Sequence, residues 1–120
     1  MIDDIVQKRQ NFDSLGENYS VAEGVHIEQK AIAGVNCFWI DCEEPSINDK
    51  VLVYIHGGCF LLGGINSHKP LVSHMVNRMA IPGLFIDYGL APEKPYPHGV
   101  NDLVNVIRKF VETNPNKKLI

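Results

Sequence analysis

The feature that most constrains the fold is a short run, Val51 to Ile55, in which every side chain is apolar. The run is too short for a helix and lacks the alternating polar positions of a half-exposed strand. It therefore predicts a strand buried on both faces, as in a parallel sheet. A glycine-rich segment, His56 to Gly64, follows directly and precedes a predicted helix. Open α/β sheets place ligands at this point.

The surrounding segments predict an α/β fold. Apolar and polar residues alternate from Val25 to Ala33 and from Val35 to Cys42, with Gly34 as a hairpin turn between them. A second short strand, Leu84 to Ile86, lies between two segments whose apolar residues recur at helical spacing and form a stripe along one face. Leu119-Ile120 begins another strand. The order predicts an antiparallel hairpin leading into a βαβαβ unit. The stripes consist of Leu71, Val72, Met75, Val76 and Met79, and of Val100, Leu103, Val104, Ile107, Phe110 and Val111.

The remaining segments complete one domain. From Ile2 to Leu15 a weaker helical pattern places Ile5, Val6, Phe12 and Leu15 on one face. In the later helix from Leu71 to Met79, the residues between the apolar positions are polar: Ser73, His74, Asn77 and Arg78. Glu43 to Asp49 predicts a turn-rich connection. We expect a single incomplete domain over residues 1–120, in which 25–120 form the core and 1–20 are a candidate remnant of an N-terminal cap.

Charge and composition exclude several functions. The net charge is −3 without a Lys/Arg cluster, which argues against nucleic acid or an anionic membrane as partner. No signal sequence is recognisable at the N-terminus, and no apolar run approaches the roughly 20 residues that span a bilayer. Cys37, Cys42 and Cys59 are odd in number and fit no metal-ligand spacing. We expect a cytoplasmic protein that binds a small molecule and uses no metal or cofactor.

Three chemistries use glycines after a strand. A phosphate-binding P-loop matches at Gly58 and Gly63, but Gly64-Ile65 replace its lysine and hydroxyl residue. No three glycines have the spacing of a dinucleotide fingerprint. The third chemistry is the oxyanion-hole loop of lipases and esterases, an HGGG-type motif. Its backbone N–H groups bind the oxyanion, and small residues keep the approach open. A purely conformational strand-to-helix turn is the alternative.

Two further stretches resemble one family. Asp87-Tyr88-Gly89-Leu90-Ala91-Pro92-Glu93, with Tyr96-Pro97 and Asp102 after it, is similar to the D-Y-R-L-A-P-E…(F/Y)-P…D segment of the hormone-sensitive-lipase-like esterases. Val53 to Phe60 matches the family's oxyanion segment at the expected distance. The resemblance covers Lys50 to Ile120 well. It implies an α/β-hydrolase fold and hydrolysis of small carboxylic esters without a cofactor.

The resemblance also implies roles for individual residues. Gly58 and Cys59 are the expected oxyanion donors, and Gly57, Phe60, Leu61 and Leu62 the binding residues. His56 is expected to hold the loop, and Asp87, Glu93 and Asp102 to anchor the following loop and helix. The alternatives are a Cys59–His56 nucleophile pair, a paired-carboxylate site among the acidic residues, and a metal site. We interpret His26, His68, His74 and His98 as surface or loop residues.

Three departures limit what the resemblance implies. Cys59 replaces the family's third glycine, which introduces strain if φ is positive there. Gly89 replaces an arginine, which predicts a looser proline-rich loop. No G-x-S-x-G nucleophile motif occurs in the 120 residues. We expect the N-terminal part of an esterase, inactive alone and prone to self-association or to pairing with a complementing chain. The alternative is a non-catalytic ligand-binding or interaction module with this fold.

Overall fold

A computed structural model describes residues 2–44 and 49–120 and shows a five-stranded sheet with helices. The strand order is β1-β2-β4-β3-β5, in which β1–β2 and β2–β4 are antiparallel and β3 is parallel to β4 and β5. This confirms the predicted α/β class and element order. The elements are α1 (Ile2–Glu17), β1 (Val25–Ile32), β2 (Val35–Cys42), β3 (Lys50–Tyr54), α2 (Ile65–Met79), β4 (Gly83–Ile86), α3 (His98–Thr113) and β5 (Lys118–Leu119).

The first two strands form the predicted hairpin. The register pairs Val25 with Cys42 and Ile32 with Val35, which leaves two residues for the turn. Both turn residues have positive φ, +52° at Ala33 and +74° at Gly34. Two-residue turns of this kind match the right-handed twist of the flanking strands, so they join antiparallel strands well.

The sheet buries a core on each face. Alternating residues of the central strands point to opposite sides, so Leu84 and Ile86 face α3 while Phe85 faces α2. The core on the α3 side contains Val35, Cys37, Val51, Leu84, Ile86, Tyr88, Val106 and Phe110. The core on the α2 side contains Ile40, Cys42, Leu52, Val72, Val76, Ile81 and Phe85.

The predicted strand over residues 51–55 needs one correction. Val51 and Leu52 are buried, but β3 ends at Tyr54 and Ile55 is 48% exposed. Pairing with β4 ends at Tyr54 opposite Phe85, so Ile55 lies where the chain leaves the sheet. The predicted connection over Glu43 to Asp49 falls partly outside the described residues.

The predicted helix faces are only partly right. Leu71 and Met79 of α2 are exposed, whereas Ser73 is fully buried because its hydroxyl donates to Pro70 O and accepts from Ala22 N. In α3 the fully buried residue is Val106, which the pattern missed. Three predicted face residues of α3 are exposed, namely Val100, Val104 and Val111. In α1 the helix itself was predicted correctly, but Val6 and Leu15, which were expected on its apolar face, are exposed. No helix in the described ranges is long and apolar enough to cross a bilayer.

Candidate active site

The glycine-rich loop leaves the carboxyl end of β3 and makes a left-handed turn before α2. The φ angles are +132° at Gly58, +58° at Cys59 and +60° at Phe60. The amides of Leu61 and Leu62 both donate to Gly58 O, at 3.0 and 2.9 Å, and close the turn. Left-handed backbone costs about 1–2 kcal/mol for each non-glycine residue. Such strain is concentrated at functional sites.

Several consecutive amides in this turn have no acceptor in the described chain. Within residues 2–44 and 49–120, this holds for the amide nitrogens of Gly57, Gly58, Cys59 and Phe60, so the two expected oxyanion donors are part of a longer run. Cys59 has the positive φ that makes a side chain costly at this position, and its side chain is exposed. The turn therefore holds a run of N–H groups, among them those of Gly58 and Cys59, in a strained backbone with no acceptor in the described chain.

The glycines of the loop are not equivalent. A Cβ on Gly58 would lie 2.0 Å from Leu62 O, and a Cβ on Gly63, where φ is +98°, would lie 2.6 Å from His56 Nδ1. A Cβ on Gly57 would meet nothing within 4 Å. Close backbone approach thus requires glycine at positions 58 and 63 but not at position 57.

His56 fixes the base of the loop. The side chain is 2% exposed and stacks on Tyr88 with ring centroids 4.5 Å apart. Its Nδ1 lies 2.7 Å from Gly57 O, and because a carbonyl oxygen can only accept, Nδ1–H is the donor. Tyr88 donates its hydroxyl proton to His56 O at 2.7 Å. Burial lowers the pKa of His56. Nδ1 contacts Gly57 O and the buried Nε2 has no hydrogen-bond partner among the described residues, so the ring is not paired with the Cys59 thiol.

The three carboxylates have separate partners. Burial raises the pKa of Asp87, which a hydrogen bond with Asn36 partly opposes. Asp102 accepts from Gly89 N at 2.8 Å and lies 3.4 Å from His98 Nε2. Each carboxylate therefore has its own hydrogen-bond partner, although Asp87 and Glu93 line the same cavity. No group of three His, Cys, Asp or Glu in the described residues is placed to hold a metal ion.

Arg9 of α1 contacts the site, and the sequence analysis missed it. Its guanidinium donates to Leu61 O at 2.8 Å, to Ala91 O at 2.8 Å and to both carboxylate oxygens of Glu93. The hydrogen-bonded Arg9 lowers the pKa of Glu93 to about 2. Helical spacing alone gave no signal for this contact, because the partners lie 52 to 84 residues further along the chain.

Two cavities flank α2. A polar cavity of about 350 Å³ at the carboxyl ends of the strands contains Asp13, Gly64, Asp87 and Glu93. A more apolar cavity of about 570 Å³ lies between α1 and α2 and contains Tyr19, His68, Leu71 and His74. The expected binding residues line neither cavity, so their role remains a prediction; they are Gly57, Phe60, Leu61 and Leu62.

Comparison with known proteins identifies the family. A family profile described as alpha/beta hydrolase fold matches residues 52–119. An esterase of Acinetobacter venetianus is 37% identical over 87 residues, which cover 72% of this chain and 28% of the esterase. Carboxylesterase NlhH of Mycobacterium tuberculosis is 42% identical over 71 residues, 57% of this chain and 21% of that protein.

A solved structure gives the same result. The crystal structure of an esterase from the bacterial hormone-sensitive lipase family superposes with a TM-score of 0.87 at 25% identity, covering 96% of this chain and 39% of that one. The chain belongs to the α/β-hydrolase family. It corresponds to the N-terminal portion of the hormone-sensitive-lipase-like esterases, and it spans between a fifth and two fifths of the three relatives compared.

Proposed function

We propose that this chain supplies the oxyanion-hole loop of a carboxylic ester hydrolase acting on small esters. The observation that supports this proposal is the left-handed turn at the carboxyl end of β3, in which the amides of Gly58 and Cys59 belong to a run of N–H groups without an acceptor in the described residues. Negative charge develops on the ester carbonyl oxygen during nucleophilic attack. Two preorganised N–H donors stabilise it, and loss of one such donor lowers kcat by about 10²–10³-fold.

The surrounding residues keep these donors in place. His56 and Tyr88 bond the loop base to the sheet, and the amides of Leu61 and Leu62 hold the carbonyl of Gly58. The donors therefore need no reorganisation when the oxyanion forms. We propose Phe60 to Leu62 as the acyl-side contacts. Asp87, Glu93 and Asp102 act as anchors of the adjacent loop rather than as acid–base groups.

The 120 residues contain no G-x-S-x-G sequence. The proposed activity therefore needs a nucleophile and base from outside them, and the isolated chain is expected not to turn over esters. A chimera tests this proposal, in which the chain replaces the corresponding segment of the Acinetobacter venetianus esterase. We expect the chimera to hydrolyse p-nitrophenyl acetate, and the isolated chain to give no burst of p-nitrophenol.

A non-catalytic binding module is the second candidate, and the replacement of a glycine by Cys59 favours it. A chimera that folds, binds a short-chain carboxylate and yet hydrolyses no ester would support that function. Hydrolysis by the chimera, combined with loss of activity on removing an oxyanion donor, would exclude it.

A further inference from the structure

We propose that Arg9 is a positioning residue for the oxyanion loop and that it supplies the guanidinium missing at Gly89. This inference rests on the proposed function, because it assigns Arg9 a role in that same loop. The family pattern has an arginine at the position of Gly89, and the chain has no arginine between Arg9 and Arg78. Arg9 lies on α1, outside the segment in which the sequence resemblance is strong.

The bonds of Arg9 join two loops. Nε donates to Leu61 O on the oxyanion loop, while Nη2 donates to Ala91 O on the proline-rich loop. The amide of Ala91 also donates to Phe60 O at 2.8 Å. Residues 60–61 and residue 91 are thus linked by one direct backbone bond and by two bonds through Arg9, and the planar guanidinium suits this role because its donors point in fixed directions.

Glu93 orients the guanidinium. Its two carboxylate oxygens accept from Nη1 and Nη2, and the second contact is 3.0 Å long. The Arg9 side chain is 20% exposed although its carboxylate partner is 58% exposed. The cation is therefore partly shielded where it meets the two carbonyl groups, and charge-assisted bonds in such surroundings are stronger than neutral ones.

The space beside Gly89 is occupied by other side chains. A Cβ there would lie 2.6 Å from Lys94 Cδ and 2.8 Å from His98 Cδ2. Asp102, which borders the same space, already accepts from Gly89 N. A side chain at position 89 would have to displace those of Lys94 and His98. The proline-rich loop is instead contacted by the guanidinium of Arg9, and these bonds connect α1 to the candidate site.

Hydrogen–deuterium exchange of the 120-residue chain tests the inference without requiring ester hydrolysis. In Arg9→Ala we expect exchange at the amides of Leu61, Leu62 and Ala91 to become about tenfold faster or more, since each lost bond to a charged group is worth about that factor. Lys8→Ala is the matched control, because Lys8 lies on the same helix and, among the described residues, pairs with exposed Asp4 rather than with either loop. Unchanged loop exchange in Arg9→Ala, or equal acceleration in Lys8→Ala, would overturn the inference.

Arg9→Lys keeps the positive charge and the aliphatic stem of the side chain, so it provides the comparison if Arg9→Ala fails to fold. One ammonium group does not reproduce the fork that reaches both carbonyl groups, so we expect fast loop exchange in Arg9→Lys as well. In the chimera, Arg9→Lys should lower kcat with little change in KM, whereas a purely structural residue would change only the folded fraction. Equal kcat per folded molecule in Arg9→Lys would contradict a positioning role. A chimera inactive without any substitution would contradict the proposed function while leaving the exchange result valid.

Discussion

Replacement of Gly58 by alanine tests the loop geometry most sharply. A methyl group there would lie 2.0 Å from Leu62 O, and φ is +132°. The backbone strain costs about 1–3 kcal/mol. The turn must open to admit the methyl group, which weakens the bonds from Leu61 and Leu62 to Gly58 O at about 0.5–1.5 kcal/mol each. We expect Gly58→Ala to lower the free energy of unfolding by about 2–6 kcal/mol.

Gly57→Ala is the matched control, because the added methyl group meets no atom within 4 Å. Its effect should stay within about 1 kcal/mol, the usual range where nothing is displaced. Urea unfolding followed by the fluorescence of Trp39 measures both, since this single tryptophan stacks on Phe110 with centroids 6.1 Å apart. Equal destabilisation by Gly57→Ala and Gly58→Ala would refute the steric reasoning.

Three further variants have defined outcomes. Burial lowers the pKa of His56 below 6.5, so the contribution of the neutral ring to stability is complete above pH 6.5 and is lost as the pH falls toward the folded-state pKa. We therefore expect His56→Phe to flatten the pH dependence of the free energy of unfolding. Part of that dependence remains, because burial also lowers the pKa of His68. Arg9 lowers the pKa of Glu93 from 4.5 to about 2, so the bond between them stabilises the fold above pH 4.5 and is lost as the pH falls toward 2. We expect Glu93→Gln to remove the loss of unfolding free energy that this carboxylate causes between those pH values. Cys59→Gly should raise the melting temperature slightly, because relief of about 1–2 kcal/mol of left-handed strain exceeds the entropy cost of glycine, about 0.5–1 kcal/mol.

Each of these variants has a contrary result. An unchanged pH slope in His56→Phe would mean that the buried ring does not titrate on unfolding. Identical acid unfolding in Glu93→Gln would mean that the carboxylate does not hold Arg9. A lower melting temperature in Cys59→Gly would mean that the side chain of Cys59 makes a contact worth more than the strain it introduces.

The strands were predictable because the spacing of apolar residues along the chain reflects which side chains the sheet buries. Burial alternates over the first half of β1 and over most of β2, and the residues around Val51 are uniformly apolar, so the strands could be inferred from local pattern. The end of β3 was not predictable to the residue. Ile55 is as apolar as its neighbours, and only the end of pairing with β4 determines that it is exposed.

The helix faces were less predictable because partners decide them. Ser73 resembles a surface residue in the sequence, but two hydrogen bonds satisfy its hydroxyl inside the protein. In α3, Val106 lies at the centre of the buried face, and a stripe drawn through Val104 instead misplaces that face. Periodicity gives the existence of a helix, whereas the neighbouring elements select which side is buried.

The position of the glycine-rich loop after a buried strand was predictable from the sequence, whereas its role as an oxyanion hole stays a prediction. Gly58 and Cys59 follow a buried strand, and the small residues needed there are adjacent in the chain. Arg9 could not be predicted, because its function depends on carbonyl groups of Leu61 and Ala91 that are remote in sequence. Main-chain acceptors leave no trace in residue identity, so only the structure locates this contact.

The central claim is that the amide of Gly58 binds the oxyanion, and removal of that single N–H group tests it most directly. Glycolic acid incorporated at position 58 replaces the amide by an ester and leaves the side chain unchanged; the same replacement at Gly34, in the β1–β2 turn, is the control. In the chimera we expect kcat for p-nitrophenyl acetate to fall by about 10²–10³-fold for position 58 and to stay nearly constant for position 34. Equal kcat in the two ester-substituted proteins would contradict the assignment of this loop as the oxyanion hole.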